Sequence, residues 1–234
     1  MFGNLYGRIA LFYHTQRKME KAGKYYEKGL ANGMEDPQYL SACSIYLMRM
    51  GEFERAHDIL AALYPRTDIK PKARPNVKYN YSIALWKCGK VQEAIAHMEE
   101  LITRGGNATY YSLLGHLYNI DGDLEHALQR NTEFLQYDED DGELLDNLCN
   151  TYILRHEWEP ARTYAEKALS RRAEMVDANY HMAQIEQHEG KINEATTRLE
   201  KLLDKNYTPL MTVSKQDVEA LLAQLKANQT DAQE

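Results

Sequence analysis

Cysteine is scarce in this chain of 234 residues: three occur, at positions 43, 88 and 149. Few, odd in number and far apart, they cannot make a disulfide framework, so a reducing compartment and a cytoplasmic location are expected. Six prolines and no Ser/Gly-rich stretch leave little room for a linker. Only the polar stretch from Ala227 onward reads as a fraying tail. Positive charge is also short: 28 Lys and Arg against 35 Asp and Glu give a net charge of -7. That argues against nucleic acid, whose phosphates need a basic footprint, and against direct contact with an anionic membrane. No apolar run approaches the ~20 residues that span a bilayer, and the N-terminus lacks a signal-peptide pattern. An anchor upstream of residue 1 stays open.

The motifs of chemistry are missing too. There is no CxxC, no Cys/His cluster, no HExxH, no nucleophile elbow and no phosphate-cradling or dinucleotide glycine loop. No catalytic residue, cofactor or metal is therefore expected, and the chain is not read as an enzyme. His181 and His188 could share a helix face, but no third ligand is placed beside them. The acidic run Asp138-Glu139-Asp140-Asp141-Gly142-Glu143 fails the calcium-loop spacing: Tyr137 falls at the first ligand position and Leu148 at the closing one. It reads as a solvated turn whose acids favour the next helix N-terminus. A dock for a basic patch on a partner is its sharper alternative.

What the sequence does have is a period. Ala22, Ala56, Ala94, Ala127, Ala161 and Ala195 recur at intervals of 34, 38, 33, 34 and 34 residues, one period with a four-residue insertion. Five places before each stands a turn residue: Gly51, Gly89, Gly122 and Gly190, with Arg17 and His156 in the other two units. Glycine suits a tight helix-helix turn that needs a left-handed backbone. Thirteen places before come Ile9, Cys43, Tyr81, Leu114, Leu148 and Met182. Next to these are the small residues Ala10, Ser44, Ser82, Gly115, Cys149 and Ala183. Nine places before are Tyr13, Leu47, Leu85, Tyr118 and Tyr152, and seven after are Gly29, Leu63, Leu101, Phe134, Ala168 and Leu202. Such spacings lie along one helix face. Small residues let two antiparallel helices approach closely, and each pair must stack on its neighbours to bury its apolar face.

The pattern resembles the tetratricopeptide repeat family over nearly the whole chain. It is clearest at Tyr111, Leu114, Gly115, Tyr118, Gly122, Ala127 and Phe134. Lys78, Asn131, Asn179 and Glu186 depart from the family pattern at positions it makes apolar or aromatic. The resemblance implies an all-α fold, a right-handed superhelical solenoid of antiparallel helix pairs. The expected repeats span about 3–36, 37–70, 75–107, 108–141, 142–175 and 176–209. A capping helix over 214–228 and a tail over 229–234 follow. Tyr64 to Pro75, with three prolines, is read as a loop, and a hinge there would make two domains in place of one stack. Ser214 and Asp217 read as the N-terminal cap of the closing helix, whose apolar stripe is Val218, Leu221, Leu222 and Leu225.

The resemblance also implies that the first helix of each pair lines a concave binding surface. Positions beside the core stripe then give the partner-binding groove: Tyr79, Ile83 and Trp86; Ser112, His116 and Asn119; Asp146, Asn150 and Ile153; and Tyr180 with Gln184 and Gln187. Amides there can donate to and accept from a peptide backbone, and aromatics supply anchor area. The groove lacks the paired basic residues with which some family members grip a carboxylate. The expected function is a protein-binding module (adaptor, scaffold or chaperone-like) that holds a partner's peptide or helix. A peptide-sensing regulator and a membrane-tethered assembly factor are the alternatives. Self-association is expected, if anywhere, at the first repeat, where Leu5, Tyr6 and Ile9 have no preceding unit to cover them.

Overall fold

A computed structural model describes residues 2–231. Among them are thirteen α-helices and one 3-10 turn, with no strand. The chain divides into two compact units, Met1–Leu101 and Ile102–Glu234. The division falls inside a helix and not at the proline-containing segment.

The first unit holds α1 (Phe2–Thr15), α2 (Met19–Ala31), α3 (Pro37–Arg49), α4 (Phe53–Leu63), α5 (Arg74–Lys87) and most of α6 (Val91–Thr103). The segment expected to be a loop is shorter than its prolines suggest. Pro71–Ala73 form the 3-10 turn, and Pro75 sits in the first turn of α5, where its missing N–H costs nothing. The remainder is tied down: the Arg66 guanidinium holds Asp68 at 2.6 Å and donates to the Glu35 carbonyl, while Ile69 is buried.

The second unit holds α7 (Ala108–Asp121), α8 (Leu124–Leu135), α9 (Gly142–Leu154), α10 (Trp158–Arg171), α11 (Val176–His188), α12 (Ile192–Leu203) and α13 (Lys215–Asp231). α7, α9 and α11 each pack on the even-numbered helix that follows and also side by side, and α13 packs on α12. The core between them is built from the periodic residues: Ala127, Leu148, Ala161, Ala168, Met182, Ala195 and Leu202 are all buried. Burying each of the larger ones is worth about 1.5–3 kcal/mol.

The turns obey one backbone rule. Gly51, Gly89, Gly122 and Gly190 all have φ between 76° and 84°, and Arg17 and His156 adopt the same left-handed region at 56° and 59°. Four helices, α3, α7, α8 and α9, start on short acceptors: Asp36, Asn107, Asp123 and Asp141 each accept from a backbone N–H of the first turn. Asp141 is the functional end of the acidic run. Its carboxylate takes the Glu143 and Leu144 amides at 3.0 and 2.9 Å, while Asp140 pairs with Arg171. At the far end Ser214 and Asp217 cap α13 reciprocally, with the Ser214 amide donating to Asp217 at 2.7 Å and the Asp217 amide to Ser214 Oγ at 3.2 Å. Val218, Leu221, Leu222 and Leu225 close the core formed by Leu199, Leu202 and Val213. The tail expected at 229–234 falls within α13 up to Asp231, and its last three positions lie outside the described residues.

Candidate functional site

The first helices of the second unit, α7, α9 and α11, form one layer and hold seven of the ten expected groove residues. The helix period puts those residues beside the core stripe, but the neighbouring first helix decides how far each is withdrawn. Ser112, His116, Asn150 and Tyr180 are half-buried, as are Gln184 and Gln187. They leave a surface of amide, hydroxyl, imidazole and phenol groups along three adjacent helices.

Asn119, Asp146 and Ile153 require correction, because all three are buried. Asn119 spends its amide inside the protein: Nδ2 donates to the Asn147 carbonyl at 3.1 Å, and Oδ1 lies 2.8 Å from the Thr151 hydroxyl. Ile153 joins the core with Cys149, Met182 and Ile185. Asp146, 4% exposed, accepts from His181 Nδ1 at 2.8 Å. In each case a side chain from the next first helix or its own partner covers the position. Tyr180 rests partly against the core closed by α13, and burial pushes its phenol up from its ordinary value. In the first unit Tyr79, Ile83 and Trp86 share one face of α5 and are half-buried, with the Lys87 ammonium 4.0 Å from the Trp86 ring centroid.

Beneath the surface of α7, α9 and α11 runs a buried polar ladder that periodicity did not disclose. Asn147 Nδ2 donates to the Ser112 carbonyl at 2.8 Å and reaches Asn131 Oδ1 at 3.4 Å. Asn131, fully buried, donates to the Ala127 carbonyl at 2.8 Å. Gly115 makes room for it: a Cβ there would lie 2.1 Å from Asn131 Oδ1. The Thr151 hydroxyl completes the rung, 2.8 Å from both Asn119 Oδ1 and the Asn147 carbonyl. The next rung is Asp146–His181. Burial is the largest influence on both groups and raises the Asp146 carboxyl. It opposes the His181 imidazolium, yet the adjacent Asp146 charge and hydrogen bond outweigh it and leave His181 raised as well. The last rung is Arg198, which clasps Glu186 at 2.6 and 3.0 Å and donates to Asn179 Oδ1 at 2.8 Å.

Those rungs explain the departures from the repeat pattern. Asn179 and Glu186 replace apolar or aromatic residues together, around one arginine. Asn131 replaces an aromatic against Gly115, and Lys78 meets Glu100 at 2.8 Å. The signal in the sequence was the departures themselves, since a polar residue at a core position needs a buried partner.

Two of the three thiols are withdrawn from solvent, while Cys88 is half-buried. Cys43 and Cys149 are buried, and burial pushes Cys43 up to about 12 and Cys149 well above its ordinary value. Among the described residues no group of three or more His, Cys, Asp or Glu could hold a metal ion, and no helix is long and apolar enough to cross a membrane.

Stacked antiparallel helix pairs with this turn rule and this small-residue register define a helical repeat protein. The model of the tetratricopeptide repeat family matches residues 3–31. No curated protein matches the chain. Among solved structures, a tetratricopeptide repeat protein from Parabacteroides merdae superposes with a TM-score of 0.78 at 13% identity, over 96% of this chain and 84% of its own. PilW, a type IV pilus biogenesis factor, gives 0.68 at 15% identity over 86% and 92%. YrrB, described as having an unusual peptide-binding site, gives 0.59 at 16% over 80% and 90%. The chain shares the all-α superhelical repeat fold of these structures.

Proposed function

We propose that the chain is an adaptor, scaffold or chaperone-like module, and that the α7–α9–α11 face of its second unit binds an extended segment of a partner protein. Ser112, His116, Asn150 and Tyr180 are its contact residues, with Gln184 and Gln187 beside them. The observation that carries this reading is the half-buried row of amide and hydroxyl groups above a fully hydrogen-bonded ladder. The ladder fixes the layer, so the row above it loses little freedom on binding. Amides then serve both the N–H and C=O groups of an extended backbone, and Tyr180 offers an aromatic anchor. On α5 of the first unit, Tyr79, Ile83 and Trp86 form a second, more apolar contact stripe. Three free cysteines favour work in the reducing cytoplasm, and a net charge of -7 favours a protein partner over nucleic acid or anionic lipid.

A peptide selected from a displayed random library against the full chain tests the reading. Asn150→Ala and Gln184→Ala should each weaken it about tenfold, the size of one lost hot-spot contact. Thr163→Ala, exposed on α10, should leave it unchanged. Binding that ignores Asn150, Gln184 and Trp86 but follows Thr163 would move the site to the second-helix face.

A further inference from the structure

The first helix carries an apolar face that its later counterparts keep covered. Phe2, Leu5, Ile9 and Phe12 follow at spacings of three, four and three, so they form one narrow stripe along α1. Phe2 is 65% exposed, Leu5 47% and Phe12 61%, which is unusual for a row of large apolar side chains.

The register shows what such a face is built to receive. Leu5, Ile9 and Phe12 stand seventeen, thirteen and ten places before the signature Ala22. The same places are Leu144, Leu148 and Thr151 on α9, and Ala178, Met182 and Ile185 on α11. All six are buried. On α11 they share cores with Ala161, Ala165 and Ala168, the small-residue stripe of α10. An occupant of the α10 kind, a helix presenting small residues at spacings of four and three, is one this face can take by the same packing.

Charge narrows the occupant further. α1 contains no Asp or Glu, and Arg8 is exposed beside the apolar stripe. On α2, Lys21 lies over the Tyr13 ring at 5.6 Å and Lys28 over Tyr25 at 5.5 Å, with Tyr13 and Tyr25 stacked at 5.6 Å between the two helices. The nearby carboxylates are engaged elsewhere: Glu20 holds Lys24 at 2.8 Å and Glu27 holds Arg55 at 2.8 Å. An otherwise acidic protein thus presents here an apolar ridge edged by cations.

We propose that the α1–α2 face docks an amphipathic helix of another protein, with a small-residue stripe against Leu5, Ile9 and Phe12 and Asp or Glu along both edges, facing Arg8 on one side and Lys21 and Lys28 on the other. A second copy of this chain fits less well. A two-fold pairing through this face would bring the same three cations of both copies together, where like charges repel. Apart from the peptide site on α7, α9 and α11, this face stands on different residues and can fail or succeed separately.

The probe is an acetylated, amidated helical peptide with alanines at spacings of four and three and glutamates along both edges of that stripe. Its counterpart has lysine for every glutamate. Titrated with the full chain at physiological salt, the glutamate peptide should bind at least tenfold tighter than the lysine peptide. Leu5→Ser and Phe12→Ser should each lose at least tenfold, and their exposure lets the fold survive, which circular dichroism checks. Lys21→Glu with Lys28→Glu should reverse the preference between the two peptides. Equal binding of both peptides, or of neither, overturns the proposal. So does a dimer in sedimentation that Phe12→Ser dissolves, which assigns the face to a second copy. Flotation with phosphatidylglycerol vesicles that the same substitution abolishes would overturn it in favour of a membrane.

Discussion

Gly115 and Asn131 are the residues on which the second unit's packing is most exacting. Asn131 is fully buried, and its carboxamide occupies the space a Cβ at position 115 would need. Gly115→Ala should cost about 1–3 kcal/mol as overpacking. Asn131→Ala should cost about 1 kcal/mol through its lost hydrogen bonds. Together they should cost at least ~1 kcal/mol less than their sum, because the alanine methyl fills the space the amide leaves. Urea unfolding of the two single variants and the double variant checks this, and strict additivity would deny the contact. His156 offers the reverse experiment. Its φ of 59° is left-handed, where four of the six equivalent turns use glycine. His156→Gly should gain about 1 kcal/mol in the same measurement. A loss would mean that the contact of its ring with Trp158, 6.3 Å between centroids, outweighs the backbone strain.

At the scale of elements, the Asp146–His181 pair joins α9 to α11 and makes their contact sensitive to pH. His181 is raised above its ordinary value, so the folded chain holds a proton that the unfolded chain releases. The stability from this proton is therefore full below about pH 6.5 and lost as pH rises through the folded value. The raised Asp146 carboxyl acts in the same direction at lower pH, where folding takes up a proton and stability again falls as pH rises. Asp177 raises both groups, and Arg172 lowers Asp146. The urea midpoint should fall from pH 6 to pH 8 more steeply in the wild-type chain than in His181→Asn. Equal slopes would show that the pair does not titrate in that window. Asp146→Ala, which strands His181, should cost about 3 kcal/mol where the imidazole is charged.

Helix faces and turns were legible in the sequence because they depend on spacing along one helix. The small residues beside each core position and the turn residues five places before each alanine all fall where the period puts them. What spacing cannot carry is the coverage of one helix's edge by its neighbour. Trp86 and Ile153 hold equivalent positions, yet Trp86 is half-buried and Ile153 lies in the core with Met182 and Ile185. Asn119 and Asp146 are withdrawn for the same reason, by partners 28 to 35 residues away. Polar residues at core positions were visible as departures, but their partners, such as Arg198 between Glu186 and Asn179, belong to another helix.

On the scale of the molecule, each unit carries a surface suited to another protein. The second unit offers a polar row on α7, α9 and α11, and the first an apolar, cation-edged ridge on α1 and α2. The central claim is that the polar row receives the partner. Site-specific photocrosslinking tests it most directly. A benzophenone amino acid is placed at Tyr180, at Gln184 or at Thr163, and the chain is irradiated with the selected peptide. Adducts from positions 180 and 184, with none from position 163 on α10, are the predicted result. An adduct from position 163 alone would contradict the account.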